Sequence, residues 1–141
     1  MADEFKWMEI ARAEIGVKEM AGDQDNPRIV EYHQHTSLHA KDDETPWCAA
    51  FVNWVMDQAG LGTTHRANAR SFLSLPNRCE LKPGAIAILK RGNNPAQGHV
   101  GFVVDVRLED RSFLLLGGNQ GNAVSIQEFP IDRLIECRWP A

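Results

Sequence analysis

The chain changes its hydrophobic period near its middle. Apolar residues recur at three- and four-residue spacing through the first half, and alternate through the second. Phe5, Met8, Ala11 and Ile15 predict an amphipathic helix, capped by Asp3 and stopped by Gly16. In "DNPRIVEYHQH", Asn26 as cap and Pro27 at the first helical position predict a second helix. "DETPWCAAFVNWV" repeats that grammar, with Thr45 as cap, Pro46 as first residue and Gly60 as terminator. There Trp47, Phe51, Trp54 and Val55 make one apolar stripe and Cys48, Val52, Met56 and Ala59 another; Asn53 and Asp57 are the polar strip. A helix apolar over most of its circumference belongs at the centre of a fold. A shorter helix is expected over Ala67 to Leu75.

"KPGAIAIL" turns at Pro83-Gly84 and enters a strand, and "HVGFVVDV" alternates after the loop "GNNPAQG". "SFLLLGGNQ", "AVSIQEF" and "RLIECRW" follow as short strands with turn residues between them. Helices first and a meander of strands afterwards define an α+β fold. Its N-terminal helices, a buried central one among them, pack on an antiparallel sheet of about five strands. No repeat, low-complexity tract or linker interrupts the chain, so residues 1–141 are expected to form one domain.

Bulk properties narrow the function classes. The 141 residues suffice for a core without disulfide staples. A formal charge of −4 argues against a dedicated nucleic-acid binder. No apolar run is long enough to span a membrane, and "MADEFKWMEI" carries acidic residues where a signal peptide has basic ones. Synthesis in the cytoplasm without an export signal is the expectation. Three cysteines, Cys48, Cys79 and Cys137, are an odd number, which suits a reducing compartment.

The chemistry centres on Cys48. If Pro46 opens its helix, the thiol sits at the third position, where unpartnered N–H groups and the macrodipole favour an anion. Such a site raises the thiolate fraction, and the thiolate is the nucleophile. A free cysteine is also a common core residue, so the position alone does not decide. A thiol nucleophile needs a base, and His99 opens the strand "HVGFVVDV". Val100, Phe102, Val104 and Val106 form the core face of that strand. His99, Gly101, Val103 and Asp105 form the other, where Gly101 is expected to leave open space beside the imidazole. If the next strand returns antiparallel through "RLEDR", its end at Gly117-Gly118-Asn119-Gln120 lies beside His99. Asn119 or Gln120 could then orient the ring. Cysteine, histidine and amide on a helix start and two neighbouring strands make the arrangement a papain-like site needs. Cys79 and Cys137 have no such neighbourhood.

"TPWCAAFVNWV", "KPGAIAIL", "GHVGFVV" and "GGNQGNAVSI" resemble the NlpC-type and CHAP cysteine peptidases and amidases that cut bacterial peptidoglycan. The resemblance covers roughly residues 5–139. It implies a papain-like fold, Cys48 as nucleophile, His99 as base and Asn119 as the orienting residue, with no cofactor. Many NlpC-type members have aspartate before the cysteine and a histidine third. Trp47 and Asn119 stand there instead, which places this chain nearer the CHAP side. Tyr32, Trp47 and Gln120 are candidates to border the cleft, a tyrosine from an N-terminal segment doing so in the resembling families; the other reading of Tyr32 is an amphipathic core residue. The resemblance names peptidoglycan as the partner, reached after phage-induced lysis or delivery by a secretion machine. An effector of the second kind would have an immunity protein. A monomer is expected. The rival readings are a cytoplasmic thiol peptidase or acyltransferase, and a catalytically silent wall-binding module. His33, His35 and His39 in "YHQHTSLH" lack the spacing of a zinc site and read as a solvated polar loop. Asp43 and Glu44 read as structural or substrate-directed. Arg66 and Arg70, near Asn68, could meet an acidic peptide stem but suit a solvated surface better.

Overall fold

Three helices and a six-stranded sheet make up the computed structural model, which describes residues 5–20, 25–37, 47–93 and 97–141. The helices are α1 (Lys6–Ala13), α2 (Pro27–His33) and α3 (Cys48–Gln58), and a 3-10 turn follows over Ala69–Ser74. The strands are β1 (Arg78–Cys79), β2 (Ile86–Lys90), β3 (Gly98–Arg107), β4 (Ser112–Gln120), β5 (Ala123–Pro130) and β6 (Leu134–Arg138). Every pairing is antiparallel, in the order β1-β6-β2-β3-β4-β5. This is the expected α+β architecture, with a short sixth strand that two residues could not announce by periodicity.

Local chemistry explains most element boundaries. Asn26 caps α2 with its side-chain oxygen, which accepts from the Arg28 backbone N–H at 2.9 Å, and Pro27 is the first helical residue. Gly16, Gly60 and Gly84 all take positive φ, the conformation that ends helices and makes the Pro83-Gly84 turn. The expected cap residues Asp3 and Thr45, the helix-opening Pro46, the pair Asp43 and Glu44, and His39 lie outside the described residues. The backbone at Trp47 is not yet helical (φ −128°, ψ 17°), so α3 opens at Cys48 and the thiol occupies the first helical position rather than the third. The segment expected as a helix from Ala67 is the tighter 3-10 turn.

Helix α3 is the axis of the main core. Residues Cys48 through Met56 are all buried, against Val100 and Phe102 of β3 and Leu116 of β4. Asn53, expected on a polar strip, is fully buried. Its amide nitrogen donates to the Arg66 carbonyl at 2.9 Å, and its oxygen accepts from the Thr63 hydroxyl at 2.6 Å and the His65 N–H at 3.0 Å. A buried amide so satisfied anchors the loop that follows the helix. Helix α1 buries Trp7, Met8 and Ala11, while Phe5 and Ile15 of the expected stripe are exposed. The Trp7 indole N–H donates to the Gly84 carbonyl at 2.8 Å. Phe5 stacks on Trp7 with centroids 4.8 Å apart, and Trp139 meets both edge-on at 5.0 and 5.4 Å, which joins the two ends of the chain.

The sheet buries its other face as well. Ala87, Leu89, Val103, Phe113, Leu115 and Cys137 form a second core there. Gly101 therefore does not face open space: a Cβ on it would lie 2.8 Å from Leu115 Cγ. Bulges between Val103 and Asp105 and between Gly117 and Gln120 break the register of β4 with its two neighbours. The second of them shapes the candidate site.

Candidate active site

Cys48 and His99 arrive from opposite directions, the thiol on the first residue of α3 and the imidazole on the second of β3. The Val100 backbone N–H acts on the Cys48 sulfur and favours its anion, so the thiol lies close to the residue next to His99 in the chain. Gly118 makes the close approach possible. A Cβ there would sit 2.7 Å from the Trp47 ring and 2.8 Å from Phe51 Cβ, so only glycine lets β4 meet the start of α3.

The third group is Gln120. The His99 Nε2–Gln120 Oε1 distance is 2.8 Å. The Gln120 amide nitrogen donates to the Leu115 carbonyl at 3.1 Å and the Ser125 carbonyl at 2.8 Å. Two carbonyl acceptors fix which end of the amide is which, because a flipped amide would set oxygen against oxygen. Oε1 is thus the atom that faces the ring, and His99 must donate from Nε2. The lone pair then resides on Nδ1, leaving that nitrogen to act as base. Gly117 leaves room for this amide, since a Cβ on it would stand 2.7 Å from Gln120 Oε1.

Asn119, expected to orient the ring, does not do so. Phe102 pairs with Leu116, and simple extension of that register would place Asn119 opposite His99. The chain instead bulges between Gly117 and Gln120, with Asn119 in the left-handed region at φ 60°. The extra residue turns Asn119 out to line the cavity beside His99 and brings Gln120 onto the ring. Neither Tyr32 nor Trp47 lines the cavities beside His99 and Cys48. Tyr32 is fully buried beneath Trp47, Phe51 and Trp54, where its hydroxyl donates to Glu14 Oε1 at 2.7 Å, so it does not border a cleft. Trp47 is fully buried too, its indole N–H donating to Glu19 Oε1 at 2.9 Å. Both brace α3 from below.

Burial holds the thiol and the imidazole toward their uncharged forms. Burial pushes the Cys48 thiol up, against backbone N–H groups of Val100, Ala49 and Cys48 itself and the Arg91 guanidinium, all of which pull it down. Burial lowers His99, partly offset by the Gln120 hydrogen bond, while Arg133 and Arg91 lower it further. Both shifts favour the neutral thiol and the neutral imidazole over an ion pair. Burial also raises Cys79, and pushes Cys137 up to about 12. Acidity does not single out Cys48; its place at the start of α3, close to the strand that carries His99, does.

The described part of the histidine-rich segment, residues 33–37, is not the solvated loop expected. His33 is buried, and His35 Nδ1 lies 2.6 Å from Asp57 Oδ2, while His65 Nε2 meets Asp57 Oδ1 at 2.9 Å. Asp57 thereby ties two loops to the end of α3. Among the described residues, no group of three or more His, Cys, Asp or Glu side chains could hold a metal ion. Arg91, Phe129 and Arg133 also border the site, at the end of β2, on β5 and in the turn after β5. No motif marks them, since their approach to His99 depends on strand order and the bulge.

A helix-start thiol, a strand-borne imidazole and an amide on the neighbouring strand place this molecule in the papain-like α+β class. Residues 40–119 match the CHAP domain, more than half of the sequence, and the chain belongs to that family. Among curated proteins nothing matches. The fold is similar to the crystal structure of a protein from Staphylococcus aureus described as similar to a lipoprotein of the NLP/P60 family, with a TM-score of 0.55 at 17% identity. That likeness covers 96% of this chain but 40% of the Staphylococcus protein, so the chain spans less than half of its length.

Proposed function

We propose that this chain is a peptidoglycan hydrolase that cuts an amide bond of the wall peptide through Cys48, His99 and Gln120. The observation that carries the mechanism is the doubly anchored Gln120 amide, which leaves His99 Nδ1 as an oriented base. The CHAP match and the NlpC-like motifs support the substrate class.

His99 Nδ1 takes the thiol proton as the Cys48 sulfur bonds to the scissile carbonyl carbon. The N–H groups at the start of α3 that face the sulfur are placed to hold the oxygen that becomes negative. Collapse of the tetrahedral species breaks the C–N bond, and the leaving amine takes the proton from His99. Water then gives a proton to His99 and attacks the thioester, which frees the acid and restores the thiol. Gln120 keeps Nε2 as donor throughout and stabilises the imidazolium only as a neutral dipole can.

Digestion of purified peptidoglycan followed by mass analysis tests this reading. New amine and carboxyl ends are expected with the intact enzyme, and none with Cys48→Ala at nearly unchanged thermal stability or with a His99→Ala variant shown to be folded. Binding to the wall without new ends would mark a silent module, and cleavage of non-wall amides alone would mark a peptidase of another kind.

A further inference from the structure

The chain carries 19 acidic residues against 15 Lys and Arg, yet the cleft around its candidate nucleophile and base is cationic. One cavity of about 240 Å³ opens beside His99 and Gln120, and a second of about 210 Å³ opens beside Cys48. Arg91 lines both, and Arg133 lines the first. Among the described residues no Asp or Glu lines either cavity. Arginines elsewhere do find carboxylates: Arg28 meets Glu14 and Glu31, while Arg78 and Arg138 meet Glu136. Arg91 makes no hydrogen bond or ion pair with a described residue. Arg133 is positioned without being neutralised. Its Nε donates to the Lys90 carbonyl at 3.2 Å, and its guanidinium lies 5.1 Å over the Phe129 ring, which itself rests 5.5 Å from the His99 ring.

From this geometry we propose that Arg91 and Arg133 form a carboxylate clamp, so that the enzyme selects wall peptides bearing a free carboxylate next to the scissile amide. The inference rests on the hydrolase reading above. A guanidinium fork matches a carboxylate in plane and in spacing, and one held by a ring and a carbonyl loses little freedom on binding. The arrangement also has a cost that only an anionic substrate offsets. His99 must become an imidazolium during turnover, and both arginines oppose that charge. The other groups against the ring, Gln120 and Phe129, are neutral. A bound carboxylate would cancel the opposing field and restore the basicity of His99 when it is needed.

The test uses two purified wall peptides that differ only in whether that carboxylate is free or amidated. The intact enzyme should show a KM about tenfold or more lower for the free acid. Arg91→Gln and Arg133→Gln should each lose most of that preference, and the double variant should show equal KM for both peptides. Arg→Lys variants should recover it in part, as a point charge lacking the fork. The double variant should also move the acid limb of kcat/KM to higher pH, a change that a merely structural role would not produce. Equal cleavage of both peptides by the intact enzyme, or an undiminished preference in the double variant, would overturn the clamp and leave the hydrolase reading standing. Cleavage of neither peptide would overturn both.

Discussion

Gln120 holds three partners with one amide: a ring and two carbonyls. Its replacement by alanine should therefore act twice. Turnover should fall because the tautomer of His99 is no longer fixed, though less than for the nucleophile or base, by about two orders of magnitude. Stability should fall by about 1–3 kcal/mol, because the carbonyls of Leu115 and Ser125 lose a donor. Asn119 behaves differently. Its φ of 60° suits asparagine or glycine, so Asn119→Gly should keep the fold and most of the turnover. Asn119→Val should instead cost about 1–2 kcal/mol through backbone strain. Urea titration and single-turnover kinetics on the four proteins check this. A collapse of turnover in Asn119→Gly, with Gln120→Ala unaffected, would return the orienting role to Asn119. The sequence showed that an amide would meet the imidazole. It could not show which of two adjacent amides, because one left-handed residue exchanges them and no pattern of side chains marks that bulge.

Ionisation belongs to the same scale. The folded pKa of His99 is lower than the ordinary 6.5, so the unfolded chain binds the extra proton first as pH falls. His99 therefore contributes stability that is fully present above pH 6.5 and is lost as pH drops toward the folded value. Cys48 runs the other way: its folded pKa is raised, so stability declines as pH climbs past the ordinary thiol value of 9.0. The acid limb of kcat/KM should accordingly lie below pH 6.5. A pH-rate profile with its acid limb well above that value would contradict a depressed imidazole. Unfolding midpoints for His99→Gln should lose part of the acid sensitivity of the parent.

At the scale of elements, contact between β4 and α3 sets the site, and Gly118 is where the two touch. Gly118→Ala places a methyl group 2.7 Å from the Trp47 ring. Strand and helix must separate, at a cost of about 1–3 kcal/mol. Because Trp47 precedes Cys48, turnover should drop with stability. Denaturant midpoints and kcat on the same samples test the coupling; an unaffected kcat would mean that the thiol is positioned from elsewhere. Elements with their own grammar were legible: α2 by its asparagine cap and proline, β3 by alternation. Helix α1 was located but turned wrongly, because Trp7 rather than Phe5 is drawn inward by the Gly84 carbonyl. Asn53 was misplaced for a related reason, and the choice between cleft and core for Tyr32 stayed open. A polar tip suggests exposure, and only the fold supplies Glu14, or the loop of Thr63 to Arg66, to satisfy it in the interior.

Across the whole molecule, strand order was the least legible feature. Consecutive strands read as a meander, and β2 through β5 obey it. The last strand instead returns to lie between β1 and β2, a choice made by long-range burial and invisible to local period. That return brings Trp139 to Phe5 and Trp7, where three rings join what the chain separates most widely. Phe5 and Trp139 thus stand side by side, with ring centroids 5.0 Å apart. A permutant in which a short glycine–serine linker joins residue 5 to residue 139, with new ends cut at the exposed turn of Leu108 to Asp110, should fold. It should retain turnover, since neither the junction nor the cut touches α3, the start of β3 or the end of β4. Evolution or an engineer could therefore hang another module from that turn without disturbing the candidate site.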